Sequence, residues 1–171
     1  NDTMIRAVIG FAEGIFAGES HVYHPKEANL SSSIRVPIFP PKDIPVDLHI
    51  KALVGYRGSQ HYHVFELTRQ LPRFAMYSIV KSDQKQTVTP DSHVKFVLQE
   101  RVARVVMWLN QSFLLVEDLK ADDDGGLEVS FTCLRNKTPL VLRATPSCHL
   151  TISSDNMDLV ADLVQSLATY L

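Results

Sequence analysis

The sequence lacks the features that mark several large classes of protein. Only two cysteines occur, Cys133 and Cys148, so there is no disulfide framework and the chain fits a reducing compartment. No apolar run approaches the roughly 18 residues that suggest a bilayer span. The 17 basic and 19 acidic residues nearly balance, and the chain contains no run of Lys and Arg that could bind nucleic acid or a membrane surface by charge. We therefore expect no nucleic-acid partner and no direct membrane attachment.

Motifs for catalysis and metal binding are also missing. The chain has no G-x-S-x-G, Walker or G-x-G-x-x-G sequence, and Cys133 lies on an alternating pattern that predicts a buried, inert thiol. Two histidine pairs, His61 with His63 and His21 with His24, do not match zinc-ligand spacings and are interpreted as polar strand and turn positions. We expect no enzyme activity, no cofactor and no metal.

Length and composition predict two folded domains. The 171 residues are 45% hydrophobic and 21% charged, which is typical of globular proteins with buried cores. Seven of the nine prolines and five of the seven glycines precede residue 92, whereas both helical patterns follow it. The polar stretch from Lys81 to His93, interrupted by Pro90, is the best linker candidate. We place the domains at residues 1–88 and 89–171.

The first domain has the pattern of a β-sandwich. From Val46 to Val54 apolar and polar residues alternate, which predicts a strand with one buried face. Turn signals separate further short β-rich runs, and no helical pattern interrupts them. These runs are Met4 to Gly10, His21 to Tyr23, Ile34 to Ile38, His61 to Leu67 and Ala75 to Val80. We therefore predict a small immunoglobulin-like β-sandwich.

The second domain has the pattern of a small α+β fold. One predicted strand precedes a helix from Gln99 to Phe113, whose apolar residues recur along one face. Three short strands follow, and a final helix begins after an N-cap at Ser154 or Asp155. The inward stripes are Val102, Val105, Val106, Leu109 and Phe113 on the first helix, and Leu159, Val160, Leu163, Val164 and Leu167 on the second. This order of strands and helices predicts a domain in which the helices pack on a short antiparallel sheet.

One cluster on the first helix is a candidate protein-interaction site. Arg101, Arg104 and Trp108 lie together about a third of a turn from the apolar stripe. A large aromatic side chain beside guanidinium groups is typical of anchors for peptide or protein partners. Alternatively, Trp108 fills the seam between the two domains.

Long runs of the chain resemble the Bardet-Biedl syndrome proteins that form the BBSome. The resemblance lies in FAEGIFAGESH, LSSSIRVPIFPPKDIPVDLHIKALVGY, HVFELTRQLPRFAMY, RVVMWLNQSFLL and SFTCLRN, and it covers nearly the whole chain. It implies a γ-adaptin-ear-like β-sandwich followed by a platform domain, the appendage architecture of coat adaptors. This agrees with the two halves inferred from pattern alone.

The resemblance also implies a role and partners. It implies a non-catalytic module that joins other BBSome subunits in a coat-like complex carrying membrane proteins to and from cilia, with Bardet-Biedl syndrome protein 7 as the expected partner. The implied location is the cytoplasm and the cilium, with membrane contact only through the assembled complex. Two alternatives stay open: an ear that binds cargo or accessory peptides directly, and an extracellular sandwich domain that uses the N-x-S/T sequons at Asn29, Asn110 and Asn136.

The run TRQLPR, residues 68–73, contains a second candidate site. The resemblance implies that it joins two strands of the ear domain, with Leu71 and Pro72 forming a turn. Arg69 and Arg73 are candidate contacts, either bracing the more acidic second domain or meeting another subunit.

Overall fold

A computed structural model describes residues 2–15, 18, 20–84 and 88–171 of the chain. The chain divides into two compact units, Asn1–Arg73 and Phe74–Leu171. The described strands form two antiparallel sheets, one in each unit, and the second unit adds two α-helices. The predicted class, a β domain followed by a small α+β domain, is confirmed.

The first unit is built on a four-stranded antiparallel sheet. Its strands are β1 (Thr3–Phe11), β2 (Ser20–Tyr23), β3 (Val46–Tyr56) and β4 (His63–Leu71), in the order β2-β1-β3-β4. The alternating run that begins at Val46 forms the long central strand β3, as predicted. Its partners β1 and β4 are nearly as long, so most of its backbone groups are paired.

The first unit buries a small core at one end of this sheet. Ala12, Val46 and Leu48 are buried, and the half-buried Ile38 and Leu71 are among the side chains that pack on them. Between β2 and β3 the chain is irregular apart from a short 3-10 helix at Glu27–Asn29.

Two strand predictions in this unit differ from the structure. The expected strand from Ile34 to Ile38 is irregular, because Pro37, Pro40 and Pro41 cannot donate hydrogen bonds to a ladder. The described residues of the unit therefore form one sheet, covered on part of one face by this segment. The run TRQLPR is a turn only in part: β4 extends through Leu71, which still pairs with Val46, and the chain turns at Arg73 after Pro72.

The second unit is built on a five-stranded antiparallel sheet. Its strands are β5 (Tyr77–Ile79), β6 (His93–Val97), β7 (Leu127–Cys133), β8 (Pro139–Ala144) and β9 (His149–Ser153), in the order β5-β7-β8-β9-β6. The three strands predicted after the first helix are β7, β8 and β9. Alternate residues of β7, including Phe131, are buried on one face of the sheet.

Two helices pack their apolar stripes into the core of this unit. They are α1 (Val102–Ser112) and α2 (Met157–Tyr170). The predicted stripes are confirmed, since all their members are buried except the half-buried Val164. Burying a side chain of this size contributes about 1.5–3 kcal/mol.

The N-cap of α2 is Asn156 rather than Ser154 or Asp155. The Asn156 side chain accepts a hydrogen bond from the Leu159 backbone N–H, at 3.2 Å. Ser154 is buried and its hydroxyl accepts from the Asn156 N–H, while Asp155 accepts from the Ser92 N–H. All three residue types suit a cap, and packing of the preceding turn selects among them.

The division between the two units falls between Arg73 and Phe74, whereas composition predicts a boundary between residues 88 and 89. The Phe74 N–H donates to the Ser112 carbonyl at 2.9 Å, and its ring stacks on Phe113 with centroids 5.2 Å apart. Strand β5 then pairs with β7. A short β-rich run carries no sign of the sheet it will join, so composition assigned β5 to the first domain. Residues 85–87 of the expected linker lie outside the described residues.

Candidate interaction surfaces

Trp108 is a core residue of the second unit and not an exposed anchor. Its side chain is 1% exposed, and its indole Nε1 donates to the Ser166 hydroxyl of α2 at 3.0 Å. Its ring also meets Phe113 edge to face, with centroids 6.2 Å apart. The anchor hypothesis is therefore wrong for Trp108, because α2 covers the side of α1 that the helical pattern leaves free.

Arg104 links the two helices of the second unit. Its guanidinium carbon lies 5.1 Å from the centre of the Tyr170 ring, and Nη2 donates to the Tyr170 carbonyl at 3.5 Å. A cation at the carboxyl end of α2 also interacts favourably with the helix dipole. The half-buried Arg104 thus stabilises the packing of α1 on α2.

Arg101 is the exposed member of the predicted cluster. It occupies the N-cap position of α1, where its side chain makes no capping hydrogen bond. Without Trp108 beside it at the surface, Arg101 is a single exposed cation, and its role in an interaction stays a prediction.

Arg73 makes a contact within the first unit. Its Nε donates to the Asp43 carbonyl at 3.1 Å, which ties the residues after β4 to the segment before β3. This contact accounts for part of the guanidinium's hydrogen bonding. Its role in bracing the second domain or meeting another subunit stays a prediction.

Arg69 lies on an exposed strand surface that the sequence did not reveal. Residues two apart on a strand share a face, so Phe65, Leu67 and Arg69 form one surface of β4, here called the β4 face. Phe65 is 57% exposed and Leu67 is 39% exposed. Arg69 is exposed too, and its Nη1 donates to the neighbouring Thr68 carbonyl at 3.0 Å.

The β4 face lies at an edge of the sheet. Among the described strands β4 pairs with β3 alone, so its second edge is not covered by another strand of the described chain. Alternation of apolar residues in HVFEL predicts the strand, yet it cannot show that the strand is an edge. A strand that combines one unpaired edge with exposed apolar side chains is a ready template for a protein partner.

A pocket of about 600 Å³ also lies in the first unit. It follows the end of β2 and is lined by residues between Tyr23 and Arg35, with Ile5 from β1. It is called the 24–35 pocket below. Its cations are Lys26 and Arg35, which lie nine positions apart in the chain and so give no motif.

Metal-binding side chains do not cluster in the described residues. No three His, Cys, Asp or Glu side chains lie where they could share a metal ion. Cys133 and Cys148 are free and buried. Burial, and to a smaller extent the Glu100 carboxylate, raises the pKa of the Cys148 thiol, which favours its neutral and unreactive form. No described helix has the length and apolar character needed to cross a membrane.

Two family models match the chain in the order that the fold suggests. The model described as the BBS2 GAE domain matches residues 1–74, and the model described as the BBS2 platform domain matches residues 77–171. The junction between the matches, at residues 74–77, lies next to the division of the chain between Arg73 and Phe74. The resemblance to an ear followed by a platform domain is confirmed.

Individual relatives agree with these matches. The chain is 55% identical over 170 residues to the BBSome complex member BBS2 of Rattus norvegicus, and 54% identical to that of Homo sapiens. It is 31% identical over 174 residues to BBSome complex member bbs-2 of Caenorhabditis elegans. The matches cover 97–99% of this chain, which spans only 23–24% of the length of these curated relatives.

Proposed function

The chain belongs to the BBS2 family, whose GAE and platform domains it carries in that order, and from this premise we propose that it is a non-catalytic structural module of a BBSome subunit. The module mediates subunit assembly in a coat-like complex that carries membrane proteins to and from cilia. The relatives it matches over nearly its full length are BBSome members, which supports this role.

The β4 face is the observation that carries the proposal. It combines an aromatic ring, an aliphatic side chain and an arginine on an open sheet edge. Aromatic and arginine side chains supply many of the strongest contacts in protein interfaces. The face favours a contact with another subunit as the role of Arg69, over bracing of the second domain.

The expected partner is Bardet-Biedl syndrome protein 7, together with other BBSome subunits. The module works in the cytoplasm and the cilium, and it meets the ciliary membrane through the assembled complex.

Capture of BBSome subunits by the chain tests the proposal. Wild type, Phe65→Ala and Val64→Ala are each incubated with the purified subunits, including Bardet-Biedl syndrome protein 7, and circular dichroism confirms folding. Val64 is a matched control, because it is 56% exposed on the opposite face of the same strand. Loss of an aromatic interface anchor costs about 2 kcal/mol, so we expect Phe65→Ala to bind roughly 30-fold more weakly.

Three results contradict the assembly role of the β4 face. The first is capture of no subunit by the folded wild-type chain. The second is equal capture by wild type and Phe65→Ala, and the third is equal weakening by Phe65→Ala and Val64→Ala.

A direct peptide-binding role is the second candidate function. An appendage-type ear would recognise cargo or accessory-protein motifs itself. The 24–35 pocket favours this alternative, because it offers a concave surface with both polar and apolar walls.

A further inference from the structure

We propose that the 24–35 pocket binds a phosphorylated serine or threonine in an extended partner peptide. This inference rests on the peptide-binding alternative and names its ligand class, and it is independent of assembly through the β4 face. The pocket and the β4 face involve different residues, so each can be disabled by itself.

The charge of the pocket walls favours an anion. Lys26 and Arg35 line the pocket together with His24, and no described lining residue is acidic. Within the described part of the chain, neither Lys26 nor Arg35 forms a hydrogen bond or an ion pair through its side chain. By contrast, Lys51 in the same unit lies 3.4 Å from the Glu66 carboxylate. No described side chain therefore neutralises these two cations, and both can pair with a bound anion.

Uncharged donors complete a set suited to phosphate. Ser31 and Ser33 supply hydroxyl groups, Asn29 an amide and Tyr23 a phenol. The Ser31 hydroxyl oxygen accepts from the Ser33 N–H at 3.3 Å, which leaves its own O–H to donate. A phosphate carries up to two negative charges and three strong acceptor oxygens, whereas a carboxylate has one charge and two oxygens. Several cations and hydroxyl donors therefore match phosphate better.

Backbone contacts hold the walls of the pocket in place. The Ile5 N–H of β1 donates to the Ser31 carbonyl at 2.9 Å, and the Asn29 N–H donates to the Lys26 carbonyl at 2.8 Å. The first bond fixes the pocket to the sheet and the second closes the 3-10 turn that carries Lys26. Because these groups are already positioned, less conformational entropy is lost when a ligand binds.

The shape of the pocket favours a peptide over a membrane. Its volume of about 600 Å³ exceeds what a lone phosphate fills, and Pro25 and Ile34 give it apolar wall area for neighbouring residues of a peptide. All four residues of the adjacent strand β2 are exposed, and β2 pairs with β1 alone among the described strands. An extended segment could pair with this open edge. Membrane recruitment by charge typically uses about 4–8 clustered Lys or Arg, more than this pocket holds.

Nuclear magnetic resonance titration of the ¹⁵N-labelled chain tests the inference. The ligands are the capped peptide Ala-Ala-phosphoserine-Ala-Ala, its unphosphorylated copy, and phosphatidylcholine vesicles with and without a phosphoinositide. We expect saturable shifts at amides between residues 20 and 35 with the phosphopeptide, and none with its unphosphorylated copy. Added salt should weaken the binding, because the attraction between exposed charges is screened.

Matched charge variants locate the site. Arg35→Gln removes a pocket cation, while Lys42→Gln removes another exposed cation of the same unit, one that does not line the pocket. We expect Arg35→Gln to weaken phosphopeptide binding by about tenfold and Lys42→Gln to leave it unchanged. Both positions are exposed, so both variants should fold, as amide spectra would show.

Three results overturn the inference: no saturable shift with the phosphopeptide, equal shifts with the unphosphorylated copy, or equal loss of binding in Lys42→Gln. Binding to phosphoinositide vesicles without binding to the phosphopeptide overturns it too and assigns the pocket to a membrane surface. Arg35→Gln should still capture BBSome subunits as wild type does, which separates failure of this inference from failure of the assembly role.

Discussion

The second unit closes a core on itself, whereas the first leaves much of its apolar surface exposed. The twelve largest fully buried side chains all lie in the second unit. The core cluster of the first unit has three buried members, and aromatic residues such as Tyr56, Tyr62 and Phe65 remain exposed. Because burial of apolar area is the main stabilising contribution to folding, the two units should differ in stability.

The difference has a simple architectural cause. In the second unit α1 and α2 cover one face of the sheet with two apolar stripes. In the first, the described chain has no α-helix, and an irregular, proline-rich segment covers part of one face. We therefore expect the second unit to be the more stable, whereas the β4 face and the 24–35 pocket of the first are the surfaces that we propose for recognition.

Truncating one aromatic in each unit should give the largest contrast. Trp108→Ala empties a packed site and removes the hydrogen bond to Ser166, so we expect it to lower the free energy of unfolding of the second unit by about 3–5 kcal/mol. Phe65→Ala, at an exposed site, should change stability by less than about 0.5 kcal/mol. Urea unfolding followed by circular dichroism measures both. Similar destabilisation by the two variants would remove the distinction between the units.

Substitution of Gly55 should show that the stability of the first unit depends on close strand packing. A Cβ atom at Gly55 would lie 2.8 Å from the His61 carbonyl oxygen, a backbone group that cannot rotate away. We expect Gly55→Ala to destabilise the first unit by about 1–3 kcal/mol. Faster amide hydrogen exchange in β3 and β4 would report this loss.

The lone tryptophan provides the control for that variant. Trp108 fluorescence follows unfolding of the second unit, and its midpoint in urea should not move in Gly55→Ala. A shifted midpoint would show that the two units unfold together.

Arginine substitutions on α1 should give the smallest effect. Arg104→Gln removes the contact with the Tyr170 ring and the bond to its carbonyl, and we expect a loss of about 1 kcal/mol. Arg101→Gln, at an exposed position without a capping bond, should be neutral within about 0.5 kcal/mol. Thermal unfolding of the two variants compares them, and equal melting temperatures would contradict the role of Arg104 in helix packing.

Much of the fold could be predicted because its signals are local. The alternation in Val46 to Val54 indicates β3, and the stripe from Val102 to Phe113 indicates α1, since each period reflects the geometry of its own element. The long runs that resemble BBSome proteins also indicate the family from the residues alone, and the family models agree.

The candidate sites were less predictable. Helical spacing shows that Trp108 lies off the apolar stripe, but only the position of α2 shows that it is covered. The β4 face gave no motif because its exposure depends on the order of the strands, and the 24–35 pocket gave none because an irregular segment forms most of its walls.

By itself, the sequence determined the family, the order of a β domain and an α+β domain, and the inward faces of both helices. Tertiary structure decided which sheet β5 joins, that Asn156 caps α2, that Trp108 is buried and that β4 is an edge. The physical reason is that periodicity is set by neighbours a few residues apart. Burial, sheet order and cap choice depend on residues distant in the chain, whose approach no local pattern records.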